Sequence, residues 1–432
     1  MKVPAFIKDN LLLKITSLNS GSIGVRTVLA VVSQRIIAEK LGPAGVAFIG
    51  DLRNVIPMIQ SFSTLGMFNG IVKYVAEHKE DKEELLKLFS TTFVYLFFTS
   101  VISFCVLFFG ASYWNELLFP DGDDFSFIFK ALAIAVPFIA LHRIFYGIIN
   151  GLSAYKKFVK IELISYCLGV VLLIALLYYK NLNGALFAIA ILPIMQFCVL
   201  FYFFSKTLKE YLDYKKISFT IPYRNKLFGF TIMSFVATLL GNFVEIDLRG
   251  HLKNQISETD AGYWTAMTNL SRQYLMFSSA ILTLYVIPRF TVIKTSIEFR
   301  KEVFNIYKTL LPLFAVGMVL IFVLKDWVID ITHGEDFLAM RTLFKWQLLG
   351  DFIKVASIII GHQFLAKKMV KEFVVTELVS LVLFYSLSTF FIKEMGAEGI
   401  VFAHFIRYIL YFIIVLIVLR KYMFGDNNLR EG

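Results

Sequence analysis

Apolar residues along this chain fall into blocks of about 20, the length an α-helix needs to cross a bilayer core of about 30 Å at 1.5 Å per residue. The purest run over Leu85–Gly110, Phe127–Asn150, Phe158–Tyr179, Gly184–Phe204, Leu310–Leu324, Phe373–Ile392 and Gly399–Leu419. Five further stretches, Ile15–Lys40, Val46–Ala76, Leu227–Leu252, Gly262–Pro288 and Phe337–Ala366, carry Arg, Lys, Asp, Asn, Gln and Ser among their apolar residues. They read as spanning helices with one wet face and bring the expectation to about 12 transmembrane helices in an all-α polytopic membrane protein. Alternating ten-residue strands of the kind a β-barrel needs are absent from the sequence.

Composition agrees, with 58% hydrophobic and 17% charged residues among 432, where soluble domains are about half apolar and about a quarter charged. Charge adds a direction. If the N-terminus is cytoplasmic, 27 lysines and arginines fall in inside segments and six in outside turns, which predicts both termini inside. Met1–Lys14 has no small-residue cleavage site, and Val3–Leu13 reads as an amphipathic lead-in rather than a signal peptide. The remaining ten cations, Arg26, Arg35, Arg53, Lys130, Arg143, Arg272, Arg341, Lys345, Lys354 and Arg407, lie within helices. There a charge costs at least about 2.5–3.5 kcal/mol unless it faces a bundle interior or water.

The chain reads as one six-helix unit built twice, with lobes at 1–212 and 213–432. Ala44-Gly45 matches Ala261-Gly262, and Gly184 with Phe187-Ala188 matches Gly399 with Phe402-Ala403. Six helices per half make the repeats parallel, enclosing a central cavity suited to alternating access. Lys206–Lys226 is the expected linker.

Some intramembrane cations have local explanations. Lys130 snorkels near a surface, Arg35 stands one turn from Glu39, and Arg407 and Lys345 face lipid or pack between helices. Asp351 and Lys354, like Glu245 and Arg249, have ion-pair spacing. Arg26, Arg53, Arg143, Arg249, Arg272, Arg341 and Lys354 then remain, drawn from both halves. Guanidinium groups bind phosphate through paired, charge-assisted hydrogen bonds, so this set points to an anionic, phosphorylated cargo.

Enzymatic readings find little footing. There is no P-loop, no H-E-x-x-H and no G-x-S-x-G, and the six histidines never stand four apart. No metal and no cofactor is expected. Asp121-x-Asp123 reads as a solvated outside loop, and Cys105, Cys167 and Cys198 as core packing.

Leu41-Gly-Pro-Ala-Gly45 with Arg53, Phe68-Asn-Gly70 and Val72-Lys-Tyr-Val-Ala76 resembles the first hairpin of Wzx-type lipopolysaccharide-precursor flippases, nearest the lipid III subgroup of enterobacterial common antigen. Ala339-Met-Arg341, Leu343-Phe344, Trp346-Gln-Leu348, Gly350-Asp351, Lys354-Val355 and Ala366-Lys367 resemble that subgroup's tenth helix. Arg249 also stands the family's distance before Gly262-x-Trp264. The resemblance implies the multidrug/oligosaccharidyl-lipid/polysaccharide exporter fold, a bacterial inner-membrane setting and a part in lipopolysaccharide biosynthesis.

It also implies a substrate, an undecaprenyl-diphosphate-linked oligosaccharide (an O-antigen or common-antigen repeat unit) flipped from the cytoplasmic to the periplasmic leaflet. Membrane lipids and the pathway's polymerase and chain-length proteins are the implied partners. Nucleic acid is not, and the chain is expected to be a monomer. Arg53, Arg249, Arg341, Asp351 and Lys354 fall on the family pattern, while Arg143 and Arg272 rest on the cavity reading. Arg53, Arg249, Arg341 and Lys354, then Arg26, are expected to hold the diphosphate. Asn69, Asn242, Trp264, Asn269, Gln273, Trp346 and Gln347 are expected to face sugars. Asp51, Glu245, Asp247 and Asp351 either tune the arginines or couple an ion. The alternatives are an ion-coupled small-molecule or multidrug exporter of the same superfamily, whose cationic substrates such a lining would repel, and a membrane enzyme acting on the same lipid.

Overall fold

The computed structural model describes residues 11–119, 124–152, 154–211 and 216–425. Residues 3–10 of the amphipathic lead-in, Asp121-x-Asp123 and 212–215 of the linker lie outside them. Among the described residues the chain is helical, without strands. The helices are α1 (Leu11–Ser63), α2 (Phe68–Glu77), α3 (Lys82–Phe109), α4 (Ala111–Leu118), α5 (Ser126–Gly151), α6 (Tyr155–Tyr211), α7 (Arg224–Ser234), α8 (Gly241–Gln255), α9 (Glu258–Ile281), α10 (Ile287–Val292), α11 (Ser296–Val323), α12 (Lys325–Thr332), α13 (Leu343–Ala366), α14 (Val370–Met395), α15 (Ala397–Val418) and α16 (Arg420–Phe424). Asp81 caps α3 by accepting from the backbone N–H groups of Glu83 and Glu84, and the Thr295 side chain accepts from Glu298 at the start of α11.

Among the described residues, eight helices are long and apolar enough to cross a membrane by length and composition, or nine with a pair bent by 51° between 24–63 and 68–77. This is fewer than the twelve expected, for identifiable reasons. The 155–211 helix counts once, although it breaks at Lys180 and Asn181. The polar stretch over Glu258–Val292 is interrupted by a π-helical turn at Leu282–Val286. α1 breaks at Gly42, whose φ of 62° lies in the left-handed region that glycine enters without a Cβ penalty.

The chain divides into two compact units, 1–41 with 48–246, and 42–47 with 247–432. The first has a core built on Met67, Ile71, Leu85, Leu88, Phe89, Ile144, Ile148, Phe204 and Leu227. Gly66 (φ 60°) lets Ser234 approach so closely that a Cβ there would stand 2.3 Å from the serine's own. The second unit packs Val286, Phe290, Phe299, Val303, Ile359, Phe364 and Val415 together.

One turn occurs in both units. Asn181 (φ 49°, ψ −133°) and Gly396 (φ 56°, ψ −134°) share one backbone conformation. Three residues later Gly184 and Gly399 each lie against a carbonyl eight residues back in sequence, so that an added Cβ would stand 1.9 Å from Leu176 O or 2.4 Å from Phe391 O. The turn that joins two antiparallel helices is therefore the same at the two places where the sequence repeats.

The outer surfaces are apolar. On α11, Leu313, Val316, Leu320 and Val323 form a stripe 57–70% exposed, and α3 presents Phe97, Val101 and Phe109 in the same way. Such stripes suit hydrocarbon rather than water. They also correct the cysteine expectation: Cys105 and Cys198 are exposed and Cys167 is half-buried. In a membrane helix the lipid face is as apolar as the core, so an apolar run does not say which way its cysteine points.

Candidate functional site

Two polar centres stand inside these apolar bundles, one in each unit. In the first, Arg26 of α1 donates from Nη1 to Glu162 Oε2 of α6 at 2.8 Å, and its guanidinium lies 5.3 Å from the Tyr166 ring centre. Tyr146 of α5 donates its hydroxyl to the same carboxylate. Arg143, three residues earlier on α5, is stacked on Phe68 at 3.8 Å and lies within electrostatic reach of Glu162 and Tyr146. Arg53 lies within electrostatic reach of Tyr166. Arg26 and Arg143 thus stand about one carboxylate, and the Arg26–Glu162 pair keeps 26% and 24% side-chain exposure. Asp51 is buried beside them in sequence, and Glu245 accepts from Asn54 at 3.1 Å.

The helices make this arrangement for local reasons. Arg143 and Tyr146, three apart, share a face of α5, and Glu162 and Tyr166, four apart, share one of α6. A guanidinium carries five N–H donors in a planar fork that matches phosphate oxygens. Arg26 Nε is buried with no hydrogen-bond partner. The centre therefore has donor capacity that its one carboxylate does not fill.

The second unit is organised around an acid instead. Asp351 of α13 is 0% exposed and accepts from Ser271 (2.6 Å) and Tyr274 of α9 and from Gln347 (3.0 Å), while His404 Nε2 of α15 stands 3.0 Å from its other oxygen. Lys354, one turn along α13, lies within electrostatic reach of Asp351 and 5.5 Å from the Tyr408 ring centre. Beside it Arg407 donates to Ser380 at 2.7 Å and lies 3.8 Å from Glu377.

The other expected site residues are spread through the second unit. Arg249 is 1% exposed; its Nε donates to Thr265 at 2.8 Å and its guanidinium lies over Trp264 at 5.2 Å, so in this conformation it serves packing. Asp247 holds His251 at 3.2 Å and accepts from Tyr385. Arg341 stands exposed on the short helix Glu335–Thr342, and Arg272 is exposed on α9. Trp264 and Gln347, expected to face sugars, are 2% and 3% exposed. Both are corrected to interior roles, one as the platform for Arg249 and the other as a donor to Asp351. Arg35 does pair with Glu39, at 2.6 Å, and Arg407 packs between helices rather than facing lipid.

Glu162, Tyr146, Tyr166 and His404 were missed in sequence. For Glu162 a signal existed: it is the only acid in the apolar run Phe158–Tyr179, and a lone intramembrane carboxylate implies a partner. His404 gave none, since its partner is 53 residues away.

Comparison with known proteins agrees with the bundle. The chain is 25% identical over 378 residues to the Lipid III flippase of Escherichia coli (strain K12), covering 88% of this chain and 91% of that one. In fold it matches the Lipid II flippase MurJ in an inward closed conformation, with a TM-score of 0.71 at 15% identity, over 93% of this chain and 87% of that one. An inward-facing multidrug resistance MATE family transporter of the MOP superfamily gives a TM-score of 0.65 at 14% identity, over 92% and 95% of the two chains. The model of the family described as polysaccharide biosynthesis protein matches residues 12–294, well over half of the sequence, and the chain belongs to that family.

Proposed function

We propose that this protein is a flippase for a lipid-linked oligosaccharide, an undecaprenyl-diphosphate-linked O-antigen or common-antigen repeat unit. On this reading it works by alternating access in the bacterial inner membrane, with both termini cytoplasmic, and moves its cargo without breaking a covalent bond. Headgroups of this kind cannot cross hydrocarbon unaided, because each unsatisfied polar group there costs several kcal/mol. Arginines held inside a bundle replace the lost hydration, while the polyprenyl tail stays in lipid.

The observation that carries the reading is the pairing of Arg26 with Glu162, with Arg143 in the field of the same carboxylate and Arg26 Nε left buried without a partner. That unfilled N–H, on one of two arginines sharing a carboxylate, is donor capacity that suits a diphosphate; the Lipid III flippase relative supports the choice of cargo. We assign the diphosphate to Arg26 and Arg143, with Arg53 of the same unit beside them. Polymerase and chain-length proteins would then receive the product, and a monomer suffices for the cycle.

The test is translocation of undecaprenyl-diphosphate-linked oligosaccharide by the purified protein in proteoliposomes, followed by accessibility of the glycan to an external glycosidase. Transfer above protein-free vesicles is expected. Efflux of a cationic dye in the same vesicles, without glycan transfer, would replace this reading by that of a multidrug exporter.

A further inference from the structure

An arginine cluster inside a membrane has a problem when its cargo is absent, since unpaired guanidinium groups at bilayer depth are costly. Glu162 meets that need. Its Oε2 takes one N–H of Arg26 at 2.8 Å, Tyr146 donates to it from α5, and Arg143 lies within its field. Yet the pairing is incomplete, because Arg26 Nε remains buried without a partner. It is also accessible, both side chains keeping about a quarter of their surface. Partly exposed ion pairs are weak and readily exchanged.

We propose that Glu162 is a resident counter-anion that occupies the arginine centre while it is empty and is displaced by an incoming diphosphate. The inference rests on the flippase reading above. A diphosphate presents more negative charge and more acceptor oxygens than a carboxylate, and can take two parallel hydrogen bonds from one guanidinium, so it wins the exchange. Tyr146 keeps a donor on the carboxylate as Arg26 leaves it. When the headgroup departs, Glu162 returns to Arg26 and competes against rebinding. The residue thereby lowers affinity in order to speed release, which is a specificity and turnover role rather than a simple brace between α1 and α6.

The experiment uses the full-length protein in lipid nanodiscs with inorganic diphosphate as the probe, titrated by calorimetry. Glu162→Gln keeps the shape and removes the competing charge. It is expected to bind diphosphate about tenfold more tightly, the equivalent of one lost charged hydrogen bond to a rival acceptor, and to flip lipid-linked oligosaccharide more slowly in proteoliposomes. Tyr146→Phe, which loosens the carboxylate without changing charge, is expected to shift affinity and turnover in proportion to each other, and it keeps the test available if Glu162→Gln does not fold. Glu162→Asp should restore wild-type affinity. Wild-type binding with no tightening in Glu162→Gln overturns the counter-anion role and leaves the flippase reading intact. Failure of the wild type to bind diphosphate at all overturns both.

Discussion

Glu162 and Asp351 are each the acceptor at the middle of a polar cluster inside an apolar bundle, but they are supplied differently. Glu162 is 24% exposed and shares its surroundings with Arg26 and Arg143, the first of which retains an unpartnered N–H. Asp351 is 0% exposed and is bonded by a serine, a tyrosine and a glutamine, with a histidine at 3.0 Å. A centre with donors left over can take in another anion. One whose acceptor is already saturated mainly fixes the helices that supply the donors, here α9, α13 and α15. Charge excess and accessibility, rather than the mere presence of intramembrane charge, separate the binding centre from the bracing one.

Removing cations from the first centre should produce the largest effect on transport. Arg26→Ala combined with Arg53→Ala is expected to reduce translocation in proteoliposomes by about 100-fold or more, each charged hydrogen bond to phosphate contributing about 1.5–3 kcal/mol. Its thermal stability should change little. A double variant that folds and flips at the wild-type rate would break the comparison on its binding side.

The next largest effect should be on stability. Asp351→Ala leaves the donors of Ser271, Tyr274 and Gln347 without their acceptor. It is expected to destabilise the fold by about 3 kcal/mol, read as a fall in the detergent melting midpoint. Asp351→Asn, which keeps one acceptor oxygen, should lose less. If Asp351→Ala melts like the wild type but abolishes transport, the second centre is functional rather than bracing.

Smaller still should be Arg407→Ala. It removes one hydrogen bond to Ser380 and a 3.8 Å approach to Glu377, worth about 1–2 kcal/mol of stability. Diphosphate affinity should be unchanged in the same calorimetric titration. A weakened affinity would break the separation of bracing residues from binding ones.

Much of this was written in local pattern. The apolar blocks announced helices because the bilayer fixes how long an apolar stretch must be, and the Gly184/Gly399 repeat marked two turns that share one backbone geometry. The arginines could be flagged because charge is expensive in hydrocarbon wherever it occurs. Their partners could not, since Arg26 meets Glu162 across 136 residues and Asp351 meets His404 across 53. Periodicity also misjudged the cysteines and the buried Trp264 and Gln347, because a membrane helix has two apolar sides and a polar side chain can point at another helix as readily as at cargo.

The sequence by itself determined that this is a helical membrane protein with cations placed where they cost energy, since hydropathy and charge act residue by residue. Only the tertiary structure decided which of those cations are already satisfied and which keep donors to spare. Satisfaction depends on atoms from distant helices arriving within about 3 Å, and no local pattern carries that distance.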